Sequence, residues 1–307
     1  MDLIKPPRLR RRDLIGLVSP ASAPTPRDKI EKSVAYLEKL GYRVTVGDHA
    51  SAEYGYLAGT DPQRAADLNQ MIRDPEVKAI FALRGGYGSP RILSLIDYAS
   101  LRRLPKIISG FSDLTALQLA LYRRCRIVTF SGPMPAVEFW KDPDPYTEEN
   151  FWRLLTSSKK IGELRSAADL LEDGRGEGVM LGGNLSLVVA CLGTRYLPAM
   201  RNSILVLEEV DEAPYRVDRM LMQLVNSGIA GRLSGLILGQ FTRCEPKDPS
   251  KPHLAIGALF EEFAKRVPGP VLANFQYGHV PKKVTLPLGL RAEIIKGKVR
   301  IGEAAVT

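Results

Sequence analysis

The chain has 307 residues, enough for two domains or one large one, and 45% apolar with 25% charged residues is typical of a soluble globular protein. Its formal charge of +9 favours anionic partners only weakly, because the basic residues are scattered and no basic stripe contains interleaved aromatic residues. We therefore expect no nucleic-acid partner. Three cysteines without a CxxC pair argue against a disulfide framework and favour a reducing compartment.

The first predicted element is a buried strand over residues 14–18. The preceding pair Arg11 and Arg12 faintly resembles a twin-arginine export signal. The apolar run that follows is too short for a signal sequence and stops at Ser19 and Pro20. No other segment approaches the length of a membrane span. We therefore expect a cytoplasmic protein that has no membrane partner.

Strand and helix patterns alternate through the first 140 residues. Such alternation predicts an α/β fold with a parallel, doubly wound sheet that helices cover on both faces. Ligands on these sheets bind beyond the carboxyl ends of the strands. The predicted elements are strands over residues 14–18, 42–46, 78–83, 106–109 and 127–129, and helices over about 25–40, 61–72, 92–96 and 114–119.

The character of the sequence changes at residue 141. Two prolines and charged stretches over residues 141–178 predict a helix followed by an exposed connection. Beyond it, mixed helix and strand patterns predict a second α/β domain. We therefore divide the chain into an N-terminal α/β domain (1–140), a helix and linker (141–178), and a C-terminal α/β domain (179–307).

A glycine-rich loop, RGGYGSP over residues 84–90, follows the third predicted strand. It is a poor dinucleotide-binding fingerprint, because Arg91 stands at the third glycine position, and it lacks the Lys-Ser or Lys-Thr ending of a P-loop. Two alternatives remain open. The loop is a tight turn that needs positive φ, or it directs the Gly86 N–H into an active site as an oxyanion donor.

Residues 110–113, GFSD, join the fourth predicted strand to a helix. A serine on a tight strand-to-helix turn is raised clear of its neighbours, and free N–H groups at the helix start can stabilise an oxyanion. Ser112 is therefore the candidate nucleophile of a serine hydrolase. The alternative is that Ser112 caps the helix while Asp113 favours its first turn, and this segment alone favours the cap.

Any histidine-based mechanism must use His49, His253 or His279, because the chain has three histidines. His279 lies in a loop between a glycine and a Val-Pro pair, a plausible setting for a general base, although a hydrogen-bonded loop histidine is the alternative. The other two have polar surroundings and are predicted at the surface. An apolar strand ends in Glu208 and Glu209, which either face solvent or supply the group that orients a histidine.

Five sequence blocks resemble the LD-carboxypeptidases, serine peptidases that include the muramoyl-tetrapeptide carboxypeptidases and the microcin C self-immunity proteins. The resemblance runs from about residue 14 to the C-terminus. The family often has Glu-Asp where this chain has Glu208 and Glu209, which leaves the choice within the pair open. The blocks are RGGYG (84–88), GFSDLTAL (110–117), GGNL (182–185), LEEV (207–210) with PYRVDR (214–219), and YGH (277–279) with LPLG (286–289).

The resemblance implies a Ser–His–Glu triad and an oxyanion hole. In this triad Ser112 is the nucleophile, His279 the general base and Glu208 the orienting acid. The backbone N–H groups of Gly86 and Asp113 would donate to the oxyanion. The family fold implied is an N-terminal doubly wound domain and a C-terminal α/β domain, with the active site in the cleft between them.

The resemblance also implies a substrate class. We expect a serine carboxypeptidase that cleaves the amide between an L-centre, such as the diamino acid of a murein peptide, and a terminal D-alanine in cell-wall peptide recycling. Asn184, in the GGN block, is expected to contact this substrate, and the family resemblance suggests a homodimer. We expect no metal or other cofactor, because no histidine–carboxylate cluster has metal-ligand spacing. The alternatives are hydrolysis of peptidyl- or aminoacyl-nucleotides, as in microcin immunity, and a non-catalytic protein that binds a small anionic ligand.

Overall fold

The first half of the chain forms a six-stranded sheet in the computed structural model, which describes residues 2–248, 250 and 252–307. Strands are numbered here along the chain. This sheet consists of β1 (Leu14–Val18), β2 (Arg43–Val46), β3 (Val77–Ala82), β4 (Ile107–Ser109), β5 (Thr129–Ser131) and β12 (Leu286–Leu288). The spatial order is β12-β5-β4-β3-β1-β2, in which β1 to β5 run parallel and β12 is antiparallel to β5.

Helices cover both faces of this sheet, because successive strand residues point to opposite sides. Phe81 packs with the aromatic residues of the 135–155 region on one face, whereas Ile80 packs with the helices on the other. A capping box formed by Thr60 and Gln63 begins the second helix. The helices are α1 (Asp28–Lys39), α2 (Asp61–Arg73), α3 (Ser89–Ile92), α4 (Tyr98–Arg103), α5 (Thr115–Cys125) and α6 (Pro145–Thr156).

The strand order places a crevice between β1 and β3. From β1 the chain moves outward to β2, then returns to β3 and continues in the opposite direction to β4 and β5. At such a switch point the loops that follow the two strands leave in opposite directions, and ligands bind between them. The loops after β1 and β3 flank this crevice, and the nucleophile candidate Ser112 follows the next strand, β4.

The second half of the chain forms an eight-stranded mixed sheet. Its strands are β6 (Gly162–Glu163), β7 (Asp169–Glu172), β8 (Arg175–Asn184), β9 (Ser203–Val210), β10 (Gly235–Thr242), β11 (Val271–Ala273), β13 (Arg291–Ile295) and β14 (Lys298–Ile301). The order is β6-β14-β13-β8-β9-β10-β11-β7, with β8 to β11 parallel and the flanking strands antiparallel. The accompanying helices are α7 (Leu185–Ala190), α8 (Pro214–Asn226) and α9 (Ile256–Ala264). The expected α/β class with two sheet-based parts is confirmed.

The segment between β11 and β12 crosses from the second sheet to the first and carries His279. Two contacts fix it to the first half of the chain. The buried Tyr277 hydroxyl lies 2.7 Å from Ser131 Oγ, and the Thr147 hydroxyl donates to the Pro281 carbonyl at 2.9 Å. The segment begins after β11, which pairs with β10 in the second sheet, and it ends at β12, which pairs with β5 in the first. Both ends of the segment are therefore held in a sheet.

The structure differs from the expectation of an exposed connection before residue 179. Residues 162–163 and 169–172 form the edge strands β6 and β7, and β8 already begins at Arg175. Edge strands leave one side to solvent, so they lack the apolar alternation that marks an internal strand, and Leu170 is 45% exposed. Within the described residues, no helix is both long and apolar enough to cross a membrane.

Candidate active site

Ser112 lies on a sharp turn between β4 and α5. Its φ of 65° is in the left-handed region, which a residue with a side chain adopts only where the surrounding structure enforces it. Gly110, two residues earlier, has a φ of 157°, and a Cβ at that position would overlap the Leu114 side chain. The predicted strand-to-helix turn is therefore present.

The structure brings the three residues of the expected triad into one hydrogen-bonded chain. His279 Nε2 lies 3.0 Å from Ser112 Oγ, and His279 Nδ1 lies 2.7 Å from Glu208 Oε2. With Nδ1 protonated, the ring donates to Glu208 and accepts the Ser112 hydroxyl proton at Nε2. Gly278 has a φ of 130°, and a Cβ there would lie 3.1 Å from Glu208 Oε2, so a glycine lets the loop approach the acid closely. The arrangement has the geometry of a nucleophile, a base and an orienting acid.

The adjacent carboxylates Glu208 and Glu209 point in opposite directions from β9, as successive strand residues do. Glu208 is fully buried and faces His279. Glu209 accepts hydrogen bonds from the backbone N–H and the hydroxyl of Ser186, at 2.8 and 2.6 Å, and from the Asn184 amide at 2.7 Å. Burial raises the pKa of Glu209. Glu209 therefore holds the start of α7, and Glu208 alone of the pair contacts the histidine.

Replacing Glu208 by glutamine is expected to lower kcat by about 10²–10⁴-fold with little change in KM, because the charge that favours the imidazolium is lost while the side-chain shape is kept. Glu209→Gln is the matched control. It should cost far less in kcat, and its effect should be on stability, since Glu209 accepts its hydrogen bonds from α7. Steady-state kinetics and denaturation of both variants check this. A larger kcat loss at Glu209 would contradict the assignment.

The glycine-rich loop lies directly against the Ser112 turn. The Asp113 carboxylate accepts from the backbone N–H groups of Gly88 at 3.2 Å and Ser89 at 2.7 Å, which ties the two segments together. A Cβ on Gly85 would lie 3.3 Å from Ser112 Oγ and 3.4 Å from the Asp113 nitrogen. The two expected oxyanion donors, on residues 86 and 113, therefore belong to segments in contact beside the nucleophile. Their role stays a prediction.

Asn184 is buried at the end of β8, and its polar groups contact other parts of the protein. Its Oδ1 accepts from the Leu187 N–H at 3.2 Å, which caps α7, and its Nδ2 donates to Glu209. Its backbone N–H donates to the Thr115 hydroxyl at 2.9 Å. These bonds explain a local role for Asn184, and its expected contact with substrate stays a prediction.

A buried ion pair supports the triad, and the sequence analysis missed it. Lys283 Nζ lies 2.6 Å from Glu138 Oε1 and 4.1 Å from the centre of the Phe111 ring. The Phe111 ring also packs against His279, at 4.9 Å between ring centres. Lys283 thus contacts Phe111, the residue that precedes Ser112 and packs against His279. Neither member of the pair carries a local sequence signal, because the two are 145 positions apart.

Replacing Lys283 by methionine is expected to lower the free energy of unfolding by about 3–5 kcal/mol, because Glu138 would remain as a buried carboxylate without its partner. The side chains of Lys283 and Glu138 are only 2% and 11% exposed. The double variant K283M/E138Q removes both charges and keeps an acceptor for the Met134 N–H, so it should recover most of the loss. Denaturant unfolding of the three proteins measures this, and equal stability of the single variant and the wild type would refute it.

A cavity of about 410 Å³ opens beside His279. Phe111 and Lys283 contribute to one wall, and residues 137–138 and 141–144 to another. Its apolar and charged groups suit a ligand with a peptide-like mixture of surfaces. Within the described residues, no group of three or more histidine, cysteine, aspartate or glutamate side chains could hold a metal ion.

Two family descriptions match the chain, and known proteins resemble it over nearly its whole length. Residues 15–132 match the LD-carboxypeptidase N-terminal domain, and residues 177–294 match the LD-carboxypeptidase C-terminal domain. A probable murein peptide carboxypeptidase of Bacillus subtilis is 36% identical, covering 99% of this chain and 95% of that protein.

Solved structures show the same architecture. The crystal structure of muramoyltetrapeptide carboxypeptidase from Oxalobacter formigenes has a TM-score of 0.85 and 31% identity, covering 96% of this chain and 100% of that one. The microcin C7 self-immunity protein MccF in complex with aspartyl sulfamoyl adenosine has a TM-score of 0.90 and 26% identity, covering 99% and 100%. The order of blocks in the sequence, the two sheets and these matches agree, and the chain belongs to the LD-carboxypeptidase family of serine peptidases.

Proposed function

We propose that this protein releases the terminal D-alanine of a murein peptide by cleaving its amide bond to the L-centre of a diamino acid, in the recycling of cell-wall peptides. The observation that carries the proposal is the hydrogen-bonded chain from Ser112 through His279 to Glu208, placed beside a glycine-rich loop. The names of the relatives from Bacillus subtilis and Oxalobacter formigenes support the substrate class.

In the first step, Ser112 Oγ attacks the carbonyl carbon of the scissile amide. His279 Nε2, 3.0 Å away, takes the hydroxyl proton, and Glu208 stabilises the resulting imidazolium through its bond to Nδ1. The oxyanion of the tetrahedral intermediate accepts from the backbone N–H groups of Gly86 and Asp113. His279 then returns the proton to the leaving amine, and D-alanine departs.

In the second step, water hydrolyses the ester that joins the peptide to Ser112. His279 removes a proton from this water and finally returns it to the Ser112 oxygen. The same two N–H donors stabilise the second tetrahedral intermediate. The left-handed backbone of Ser112 presents its Oγ 3.0 Å from His279 Nε2, the atom that transfers the proton in both steps.

A paired assay tests the proposal. Release of D-alanine from a murein tetrapeptide is compared with cleavage of an aminoacyl-nucleotide, the substrate class of the microcin-immunity alternative. We expect the tetrapeptide to be the better substrate by kcat/KM. A preference for the nucleotide would establish the alternative. Failure of a fluorophosphonate probe to label Ser112, together with no turnover of either compound, would favour a non-catalytic binding protein.

We also propose that the protein is cytoplasmic and forms a homodimer. Three buried free cysteines, Cys125, Cys191 and Cys244, suit a reducing compartment and support a cytoplasmic location. The family resemblance supports a homodimer. Cell fractionation and sedimentation equilibrium measure the two properties, and an exported protein or a stable monomer would contradict them.

A further inference from the structure

Arg84 lies at the carboxyl end of the first sheet, in the crevice between the loops that follow β1 and β3. Its Nη1 donates to the Ala23 carbonyl, in the loop after β1, at 3.2 Å, and the side chain is part-buried. The guanidinium is therefore held at the switch point of the strand order, where sheets of this kind bind ligands. Neither the triad nor the oxyanion hole uses it.

The Arg84 guanidinium lies beside Gly86 in the glycine-rich loop. Its Nη2 is 3.8 Å from the position that a Cβ on Gly86 would occupy. Gly86 is an expected oxyanion donor, and the adjacent Gly85 is the residue that approaches Ser112 Oγ. A substrate carbonyl bound at Gly86 would thus lie near both the Arg84 charge and Ser112.

The charge of Arg84 has no acidic partner within the part of the chain that the structure describes. Two cations that line the cavity beside His279, by contrast, are already paired. Lys283 is bound to Glu138, and both nitrogens of the Arg243 fork contact Asp211, at 2.6 and 2.8 Å. The Arg84 guanidinium is therefore available to pair with a carboxylate that a ligand supplies.

Lys141, which lines the cavity beside His279, is the alternative cation for binding a substrate carboxylate. It is exposed, and its ammonium lies 5.7 Å from the centre of the Trp140 ring. Water screens an exposed ammonium, so its attraction for a carboxylate is weak. The planar fork of Arg84, in contrast, matches both oxygens of a carboxylate and is partly shielded from water.

A carboxypeptidase substrate has a carboxylate at a fixed place. The carboxylate carbon of the last residue lies within about 4 Å of the scissile carbonyl carbon, because three covalent bonds join them. A cation that recognises it must therefore adjoin the oxyanion hole. We propose that Arg84 binds the terminal carboxylate of the substrate and so restricts this site to the last peptide bond. The inference rests on the proposed function.

The test compares two tetrapeptides that differ only at the C-terminus, one with free D-alanine and one with D-alaninamide. We expect the wild type to have a kcat/KM about 100-fold higher for the free acid than for the amide. This ratio corresponds to the free energy that a hydrogen bond to a charged group contributes. In Arg84→Gln this preference should fall to a few-fold, because kcat/KM for the acid decreases while kcat/KM for the amide changes little. Arg84→Lys should retain part of the preference.

Two controls separate recognition from a structural effect. Arg27→Gln removes an arginine at the end of the loop after β1, 65% exposed and paired with Glu53, and should leave both activities unchanged. Thermal unfolding of each variant shows whether it is folded. If Arg84→Gln lowers both activities equally, Arg84 only holds the loop through the Ala23 carbonyl, and the inference is overturned.

Different results would contradict the proposed function and the role of Arg84. A wild type that releases no D-alanine from the free acid contradicts the proposed function, and the inference falls with it. An active wild type whose Arg84→Gln variant keeps the full preference for the acid overturns the inference alone. An active wild type that shows no preference between acid and amide does the same.

Discussion

Replacing Ser112 by alanine is expected to lower kcat by about 10⁴-fold or more while the protein stays folded. The variant lacks the oxygen that forms the covalent intermediate, so only binding and oxyanion stabilisation remain. The smaller side chain should not disturb the turn, because Gly110 and the bonds of Asp113 to the glycine-rich loop hold it independently of the hydroxyl. Assays of D-alanine release should show this loss of activity, and denaturant unfolding should show an unchanged free energy of unfolding.

A helix-capping role for Ser112 makes a different prediction. A lost cap lowers stability by about 1 kcal/mol and leaves the chemistry intact. A variant that keeps a tenth of the wild-type activity would therefore identify Ser112 as a cap. In the structure Phe111 occupies the capping position before the turn 112–114, and Ser112 Oγ lies 3.0 Å from His279 Nε2. The hydrogen-bond pattern therefore favours the nucleophile.

The parallel strands of the first sheet were predictable from local patterns, and three short edge strands of the two sheets were not. Short apolar runs bounded by helix signals predicted the strands that became β1 and β3 to within a residue or two. Those strands are buried on both faces, which makes the whole run apolar. The strands β6, β7 and β12 lie at or near sheet edges and are short, and β12 contains Pro287, so none has an apolar signature of its own.

In the candidate active site too, local sequence patterns indicated some residues and not others. Sequence blocks indicated Ser112, Glu208 and His279, because each stands at the end of an apolar strand or in a loop beside one. The supporting contacts are between segments far apart in the chain, such as Lys283 with Glu138 and Tyr277 with Ser131. A charged residue in a loop is usually exposed, so sequence alone could not show that Lys283 is buried. Long-range pairing of this kind is decided by tertiary packing.

Replacing His279 by alanine is expected to reduce kcat about as severely as the loss of Ser112, by roughly 10⁴-fold or more, because nucleophile and base act as a unit. Without the ring, the Ser112 hydroxyl keeps its proton and the leaving amine has no acid. The double variant Ser112→Ala/His279→Ala should be little worse than either single variant. Such non-additivity would not arise if the histidine acted only by packing on Phe111, which lies 4.9 Å from it between ring centres.

The other two histidines are the matched controls for this prediction. His49 follows the edge strand β2, and its Nδ1 lies 2.8 Å from Asp67 Oδ1. His253 is exposed. His49→Ala and His253→Ala should therefore change kcat by no more than a few-fold, although loss of the Asp67 contact will lower stability. Kinetics of the three variants on the tetrapeptide decide the matter. A loss of kcat at His253 equal to that at His279 would contradict the assignment of His279 as the base, since a single imidazole accepts the proton of Ser112.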